Sequence, residues 1–293
     1  MSTEHFPAPG ETVSCGGLFF ELGGKGYNQA VACDRMGVDT VFFGAVGKDD
    51  NGNACQRELA AEGITPCLIE KEIPTAYAVI TTDATGENTV CVFPGAAKAL
   101  TPEDLRTDRV MSQLRTCTCL LLQNELSTDC LLEACKIGRE LDIPVIFNPA
   151  PAKDIPPEVM EYCSLITPNY GEAKQLTGYL PHEQPTAKQL IERFANQGIE
   201  NVIITMGSAG AVIADHGKIC KIPPFSCGKA LDTTGAGDTF NGVLTAMLAK
   251  ENTPEQAAKV AAVAAGISVT RKGAAGSIPT GAEVNVYRKV NAD

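Results

Sequence analysis

The sequence predicts an α/β fold, with a mostly parallel central sheet flanked by helices and a small separate β-sheet standing off it. Two observations carry this expectation. For most of the chain, short apolar runs alternate with longer amphipathic ones, the pattern of βαβ units. Two stretches, Thr12–Leu22 and Ala76–Phe93, break that rhythm with alternating β-branched residues and no helix.

The strand-like runs are, in order, Thr40–Val46, Thr118–Leu122, Pro144–Asn148, Ser164–Thr167, Asn201–Thr205 and Ala211–Ala214. Between them, apolar residues recur at helical spacing over Asn28–Met36, Asn53–Glu62, Thr128–Leu141, Gly171–Thr177 and Ala187–Gln197. The last third is helical, with Ala236–Ala249 followed by the alanine-rich Pro254–Thr270. Within the second excursion, Asp83-Ala-Thr-Gly-Glu-Asn88 has turn chemistry. The two excursions, about residues 8–22 and 74–95, are expected to form a lid on one domain spanning 1–293.

The composition is that of an ordinary globular protein, 44% hydrophobic and 20% charged, long enough to bury a sizeable core. A formal net charge of −11 argues against a nucleic-acid surface or a polybasic membrane patch, both of which need clustered Lys and Arg. No run of apolar residues is long enough to span a bilayer, and the N-terminal MSTEHFPAPGETV lacks the basic and apolar regions of a secretory signal. A cytoplasmic location is therefore expected. The 12 cysteines are scattered, with no CxxC pair and only His5, His182 and His216 to supplement a metal site. Reduced thiols are expected rather than a zinc centre.

Four strings carry the chemistry. Asp232-Thr-Thr-Gly-Ala-Gly-Asp-Thr-Phe-Asn-Gly242 leads into an apolar helix. Its glycines, Gly235 and Gly237, leave backbone N–H groups uncovered at a helix N-terminus, an anion hole suited to a transferred phosphoryl group. Asp238 lies where a carboxylate could take a proton from an attacking hydroxyl. The bland alternative is a glycine-rich turn with a Thr or Asp N-cap. Gly23-Gly-Lys-Gly-Tyr-Asn-Gln-Ala30 allows close backbone approach to a ligand, and Asn28 offers donor and acceptor to sugar hydroxyls. It is no Walker A loop, and a structural turn explains it equally. Thr167-Pro-Asn-Tyr-Gly-Glu172 has the spacing of a capping box, or places Glu172 to hold Mg²⁺ through water. Thr205-Met-Gly-Ser-Ala-Gly210 is a turn that could pass over a nucleotide or simply connect two strands.

In this order and separation, the four strings resemble the PfkB-type carbohydrate kinases, and within them the ribokinase branch. The resemblance runs from about Pro9 to Val284 and extends to Leu121-Leu-Gln-Asn-Glu125, Asn148-Pro-Ala-Pro151 and Thr270-Arg-Lys-Gly-Ala274. It implies a ribokinase-like fold and ATP-dependent phosphorylation of D-ribose at its 5-hydroxyl. Asp238 would be the general base, and the N–H groups of Gly235, Ala236 and Gly237 the anion hole. Gly24, Lys25, Asn28 and Glu125 would hold the sugar. Asn169, Thr205, Gly207, Ser208, Gly210 and Gly237 would lie along ATP, with Glu172 serving Mg²⁺. A monovalent cation, K⁺ by family expectation, would be held by Asp232, Thr234, Ser268, Gly273 and Ser277. The resemblance also implies a homodimer joined through the β lid.

Members of this family normally begin with a buried strand that ends in an Asp contacting the sugar. The present sequence starts just after it, which implies a shortened gene product with strand edges exposed inside the sheet. Two alternatives to a ribose kinase follow: a kinase preferring 2-deoxyribose, and a weakly active or non-catalytic nucleotide-binding homologue.

Overall fold

The computed structural model describes residues 1–153 and 155–290. Its largest sheet has six strands: β5 (Leu120–Gln123), β6 (Val145–Asn148), β7 (Leu165–Ile166), β8 (Val202–Thr205), β9 (Ala211–Asp215) and β10 (Lys218–Ile222). They lie side by side in chain order; β5 to β8 are parallel, β9 pairs antiparallel to β8 and β10 antiparallel to β9. A second, parallel pair joins β1 (Val41–Gly47) to β2 (Thr65–Lys71), in register from Val41 opposite Thr65 to Gly47 opposite Lys71.

Alternation along the strands sorts the core into two layers. Ile146, Leu165, Ile203 and Ile213 point to one face, with α1 (Lys25–Arg35), α2 (Asp50–Glu62), α9 (Ala236–Ala249), α10 (Pro254–Ser268) and α11 (Gly281–Val290) packed there. Val145, Phe147, Ile166, Val202 and Ile204 point to the other. That face carries α3 (Pro102–Leu105), α4 (Asp108–Leu114), α5 (Thr128–Glu140), α6 (Pro157–Tyr162), α7 (Tyr170–Leu176) and α8 (Ala187–Asn196). Strand β1 follows the same logic: Phe42 packs with the first layer, Phe43 and Ala45 with the second.

The expected excursion at 76–93 is an antiparallel hairpin of β3 (Tyr77–Thr82) and β4 (Asn88–Phe93), turning at Asp83–Glu87. The other excursion corrects the sequence expectation, because Thr12–Leu22 contains no strand. Gly17 makes only an isolated bridge to Ser2, which in turn bridges Thr82 at the edge of the hairpin. Paired glycines interrupt the run, and Leu18, Phe19 and Phe20 remain exposed, so no face exists for the alternation to bury.

Candidate functional site

The site is built at the C-terminal ends of the parallel strands, where loops enter the N-termini of α1, α7 and α9. Gly235 caps α9 in the left-handed region at φ 72°, with Ala274 Cα only 3.2 Å from where a side chain would begin. A β-carbon there would meet both strain and a neighbour. In the helix's first turn, the N–H groups of Gly237 and Asp238 have no partner among the described residues, whereas Ala236 N–H donates to Thr233 O at 3.2 Å. Free donors at the positive end of a 14-residue helix attract anions.

Asp238 is buried, and both its carboxylate oxygens are engaged from α1. Asn28 Nδ2 donates to Oδ2 at 2.9 Å and Gln29 Nε2 to Oδ1 at 3.0 Å. Since the Asn28 amide nitrogen faces the carboxylate, its Oδ1 is left buried without a donor. Burying an unsatisfied acceptor costs about 1–3 kcal/mol, so a ligand hydroxyl that fills it binds with that gain. Gln29 also donates to Asn148 Oδ1 at 3.1 Å and accepts from Gln123 Nε2 at 2.6 Å. Asn148 in turn donates to Thr167 O at 3.0 Å. The two helices meet at Gly242, where an added β-carbon would lie 2.4 Å from Gln29 O and 2.5 Å from Ala32 Cβ.

Gly24, at φ 98°, turns the chain into α1. Beyond it, Lys25 N–H donates to Glu125 Oε2 at 3.2 Å. The surrounding protein raises the Glu125 carboxyl above the ordinary range, against the opposing pull of Lys25. Gly24, Lys25, Asn28 and Glu125, all expected at a sugar site, therefore do converge on one side of Asp238.

Asn169 caps α7 in a complete capping box: Glu172 N–H donates to Asn169 Oδ1 and Asn169 N–H to a Glu172 carboxylate oxygen, each at 2.8 Å. The bland explanation of this motif is thus realised. The same two residues nonetheless line a cavity of about 130 Å³ with Lys25, Asn148, Thr205, Gly237, Asp238 and Asn241. Burial raises the Glu172 carboxyl, countered by the Asn169 N–H. Thr205 N–H donates to Pro168 O at 3.0 Å and ties β8 to this loop. Gly207 and Ser208 follow on an exposed turn beside the cavity. Gly210 closes that turn against β10, where a β-carbon would strike Ile222 O at 2.1 Å, so its glycine is required by the fold.

The expected cation ligands come from the loop before α9, the last residue of α10 and the segment that follows it. Asp232 accepts from Thr234 N–H at 2.9 Å and from Gly273 N–H at 3.0 Å, while Asp232 N–H donates to Val269 O at 3.2 Å. These bonds hold the Asp232 carboxyl below its usual range despite partial burial. Ser268 and Ser277 are buried nearby, with hydroxyls donating to Ala265 O and Ala274 O. Among the described residues, no group of three or more His, Cys, Asp and Glu is arranged to hold a metal ion.

Sequence reasoning gave no role to Gln29, Gln123, Asn148 or Asn241, each of which it quoted only as part of a string. Gln29 and Asn148 lay beside residues singled out, but their role depends on partners distant in the chain. Asn241 donates to Gly237 O at 2.9 Å and keeps an unpartnered, buried Oδ1.

A family profile described as pfkB family carbohydrate kinase matches residues 1–281. A ribokinase from Haemophilus influenzae is 36% identical over 282 residues, covering 96% of this chain and 91% of its own. A deoxyribokinase from Salmonella typhi is 32% identical over 296 residues, with 99% and 94% covered. The solved structure of Arabidopsis thaliana ribokinase complexed with ribose and ATP superposes with a TM-score of 0.88 at 28% identity, over 97% of this chain and 93% of that one.

Proposed function

Because the chain belongs to the pfkB family of carbohydrate kinases and is a sugar kinase, we propose that it transfers the γ-phosphoryl group of ATP to the 5-hydroxyl of D-ribose. One observation carries this reading. A buried carboxylate, Asp238, stands at the N-terminus of α9 beside free N–H donors, gripped by two amides from the first turns of α1, in the string expected to hold sugar.

The chemistry follows from that geometry. Asn28 and Gln29 fix the Asp238 rotamer, so that little reorientation is needed when a sugar hydroxyl takes the place of one amide. The hydroxyl proton passes to Asp238 as its oxygen bonds to the γ-phosphorus. The bond from that phosphorus to the bridging oxygen breaks, and its electron pair leaves on ADP. The N–H groups of Gly235, Ala236 and Gly237, with that of Asp238, meet charge building on the phosphoryl oxygens. Gly237 and Asp238 are already free to do so; Ala236 must first release Thr233 O. Asn169, Thr205, Gly207 and Ser208 border the nucleotide, with Gly210 shaping their turn.

The oxygen donors of Glu172 and Asn169 suit Mg²⁺ held through water, which when bound would neutralise phosphate charge. The carboxylate, hydroxyl and carbonyl oxygens of Asp232, Thr234, Ser268, Gly273 and Ser277 suit a monovalent cation such as K⁺. That ion would stiffen the loops that form the anion hole. The exposed apolar hairpin supports a homodimer in which two lids join. No helix among the described residues is long and apolar enough to cross a membrane.

A preference for 2-deoxyribose is the second reading, favoured by the similarity to the Salmonella deoxyribokinase. ADP release with ATP, Mg²⁺ and K⁺, compared for D-ribose, 2-deoxyribose and no sugar, tests both. Turnover that depends on ribose and exceeds that with 2-deoxyribose is expected. The reverse order would establish the second reading, and sugar-independent ATP hydrolysis alone would remove both.

A further inference from the structure

Arg35 ends α1 and directs its guanidinium two ways. Nε and Nη2 donate to the two carboxylate oxygens of Glu62, the last residue of α2, at 3.1 and 2.7 Å. Nη1 donates to two main-chain carbonyls, Ala275 O at 2.9 Å and Ile278 O at 2.7 Å. Among the described residues, no backbone N–H reaches Ile278 O, so Arg35 is what satisfies it. A tie between two helices needs only the first pair of bonds. The second pair reaches into a different part of the molecule.

The bonded carbonyls flank Ser277, in the short segment between α10 and α11. Just before them, Ala274 O accepts from Ser277 N–H at 3.1 Å and from the Ser277 hydroxyl at 2.7 Å. Ala274 is also the residue on which Gly235 rests. A β-carbon at position 235 would lie 3.2 Å from Ala274 Cα and 3.5 Å from Ala274 Cβ. Gly235 is the N-cap of α9, just ahead of the free N–H donors of Gly237 and Asp238. At its other end the segment is held by Gly273 N–H, which donates to Asp232 Oδ2 at 3.0 Å. The backing of the anion hole is thus pinned twice, by Asp232 from the glycine string and by Arg35 from α1.

Arg35 shares its helix with Asn28 and Gln29, the two residues that grip Asp238. It lies about two turns beyond Asn28, roughly 10 Å along the axis. One helix therefore carries the amides that fix the base and the guanidinium that fixes the support of the phosphoryl cradle. A guanidinium suits this task because its planar fork orients several acceptors at once, which an ammonium cannot.

We propose that Arg35 is a positioning residue for phosphoryl transfer, which sets the N-terminus of α9 by fixing the carbonyls of Ala275 and Ile278. It is not part of the cavity lined by Asp238 and Glu172, and acts through Ala274 and Gly235. This rests on the reading of that helix N-terminus as an anion hole.

Three full-length variants test it against the parent. Arg35→Met removes every donor, and Arg35→Lys keeps the charge without the fork. Glu62→Gln weakens the tie to α2 but leaves both carbonyl bonds available. ADP release with ATP, Mg²⁺, K⁺ and D-ribose should show kcat lowered at least tenfold in Arg35→Met. In Arg35→Lys it should fall at least threefold, with sugar KM within threefold of the parent in both. Glu62→Gln should keep kcat within twofold, although its urea midpoint falls. Hydrogen exchange without ligands reads the amides of Ser277 and Thr239, which are bonded to Ala274 O and Gly235 O. Exchange at both should quicken at least tenfold in Arg35→Met and stay at the parent's rate in Glu62→Gln. That measurement needs no turnover, so a parent without sugar-dependent activity would remove the kinase reading while exchange still decides the role of Arg35. If Arg35→Met does not fold, Arg35→Lys supplies both readouts. A kcat that falls as far in Glu62→Gln as in the Arg35 variants would overturn the proposal and leave an ordinary ion pair between helices. Parental exchange at Ser277 and Thr239 in both Arg35 variants would overturn it as well.

Discussion

Gln29 and Asp238, 209 positions apart in the sequence, are joined by a 3.0 Å hydrogen bond that fixes one oxygen of the candidate base. Gln29 is 0% exposed, and its remaining amide capacity goes to Asn148 and Gln123. Replacing it by alanine would strand polar atoms on both neighbours and leave Asp238 free to rotate. Gln29→Ala should lose about 1–3 kcal/mol in urea denaturation. Its kcat should fall roughly tenfold, with a smaller change in sugar KM. Unchanged kcat in a folded variant would reduce this network to a purely structural one.

Asp238→Asn keeps the shape of the side chain but removes its ability to accept the hydroxyl proton. General-base contributions are about 10²–10⁴ in rate, and kcat should fall by that amount. The melting temperature should stay within a few degrees of the parent's, since an asparagine Oδ1 still accepts from one amide. Near-normal ADP release would remove Asp238 as the base.

The Arg271 guanidinium and the Thr280 N–H hold the Glu283 carboxyl down at about 2, below its ordinary 4.5. A depressed carboxylate adds stability that is fully present above the unfolded-state value and is lost as pH falls through the folded one. Partial exposure screens the pair, so about 1 kcal/mol is expected at neutral pH. Urea curves of the parent and Glu283→Gln should differ by that amount at pH 7 and converge as pH drops from 4.5 towards 2. A gap that stays constant over this range would show that charge is not its source.

Val92, 67% exposed, lies on the hairpin with Tyr77 and Val90, also exposed. If two lids join there, Val92→Lys would bury a charge against an apolar partner and split the dimer. Sedimentation velocity should show a dimer for the parent and a monomer for the variant. A parent that is monomeric at micromolar concentration would remove the lid interface.

Regular elements were legible where local patterns sufficed. Ala236–Ala249 coincides with the expected helix, and the six anticipated strands shift by only one or two residues at their ends. Strands β2 and β10 were missed because Thr65–Lys71 and Lys218–Ile222 mix charged and apolar residues. Exposed Glu70 in the first, and exposed Lys218 and Lys221 in the second, blur the strand signal. The glycine strings of the site were equally plain, since tight turns and helix starts need particular residue types nearby. The amide network was not, because Gln123, Gln29, Asn148 and Asp238 become neighbours only through tertiary packing. No local spacing encodes contacts between four separate elements.

At Gly242 the two helices that carry the base and its amide partners meet main chain to main chain at Gln29, and against Ala32 Cβ, with no room for even a methyl group. The distance between Asn28 and Asp238 is consequently set by main-chain geometry, which side-chain exchange elsewhere in the core leaves alone. Surrounding apolar residues are free to diverge, one size at a time, without retuning the proton acceptor. Substitution at this single glycine would instead be transmitted directly to the site, which makes it a point of evolutionary rigidity within a core that can otherwise drift.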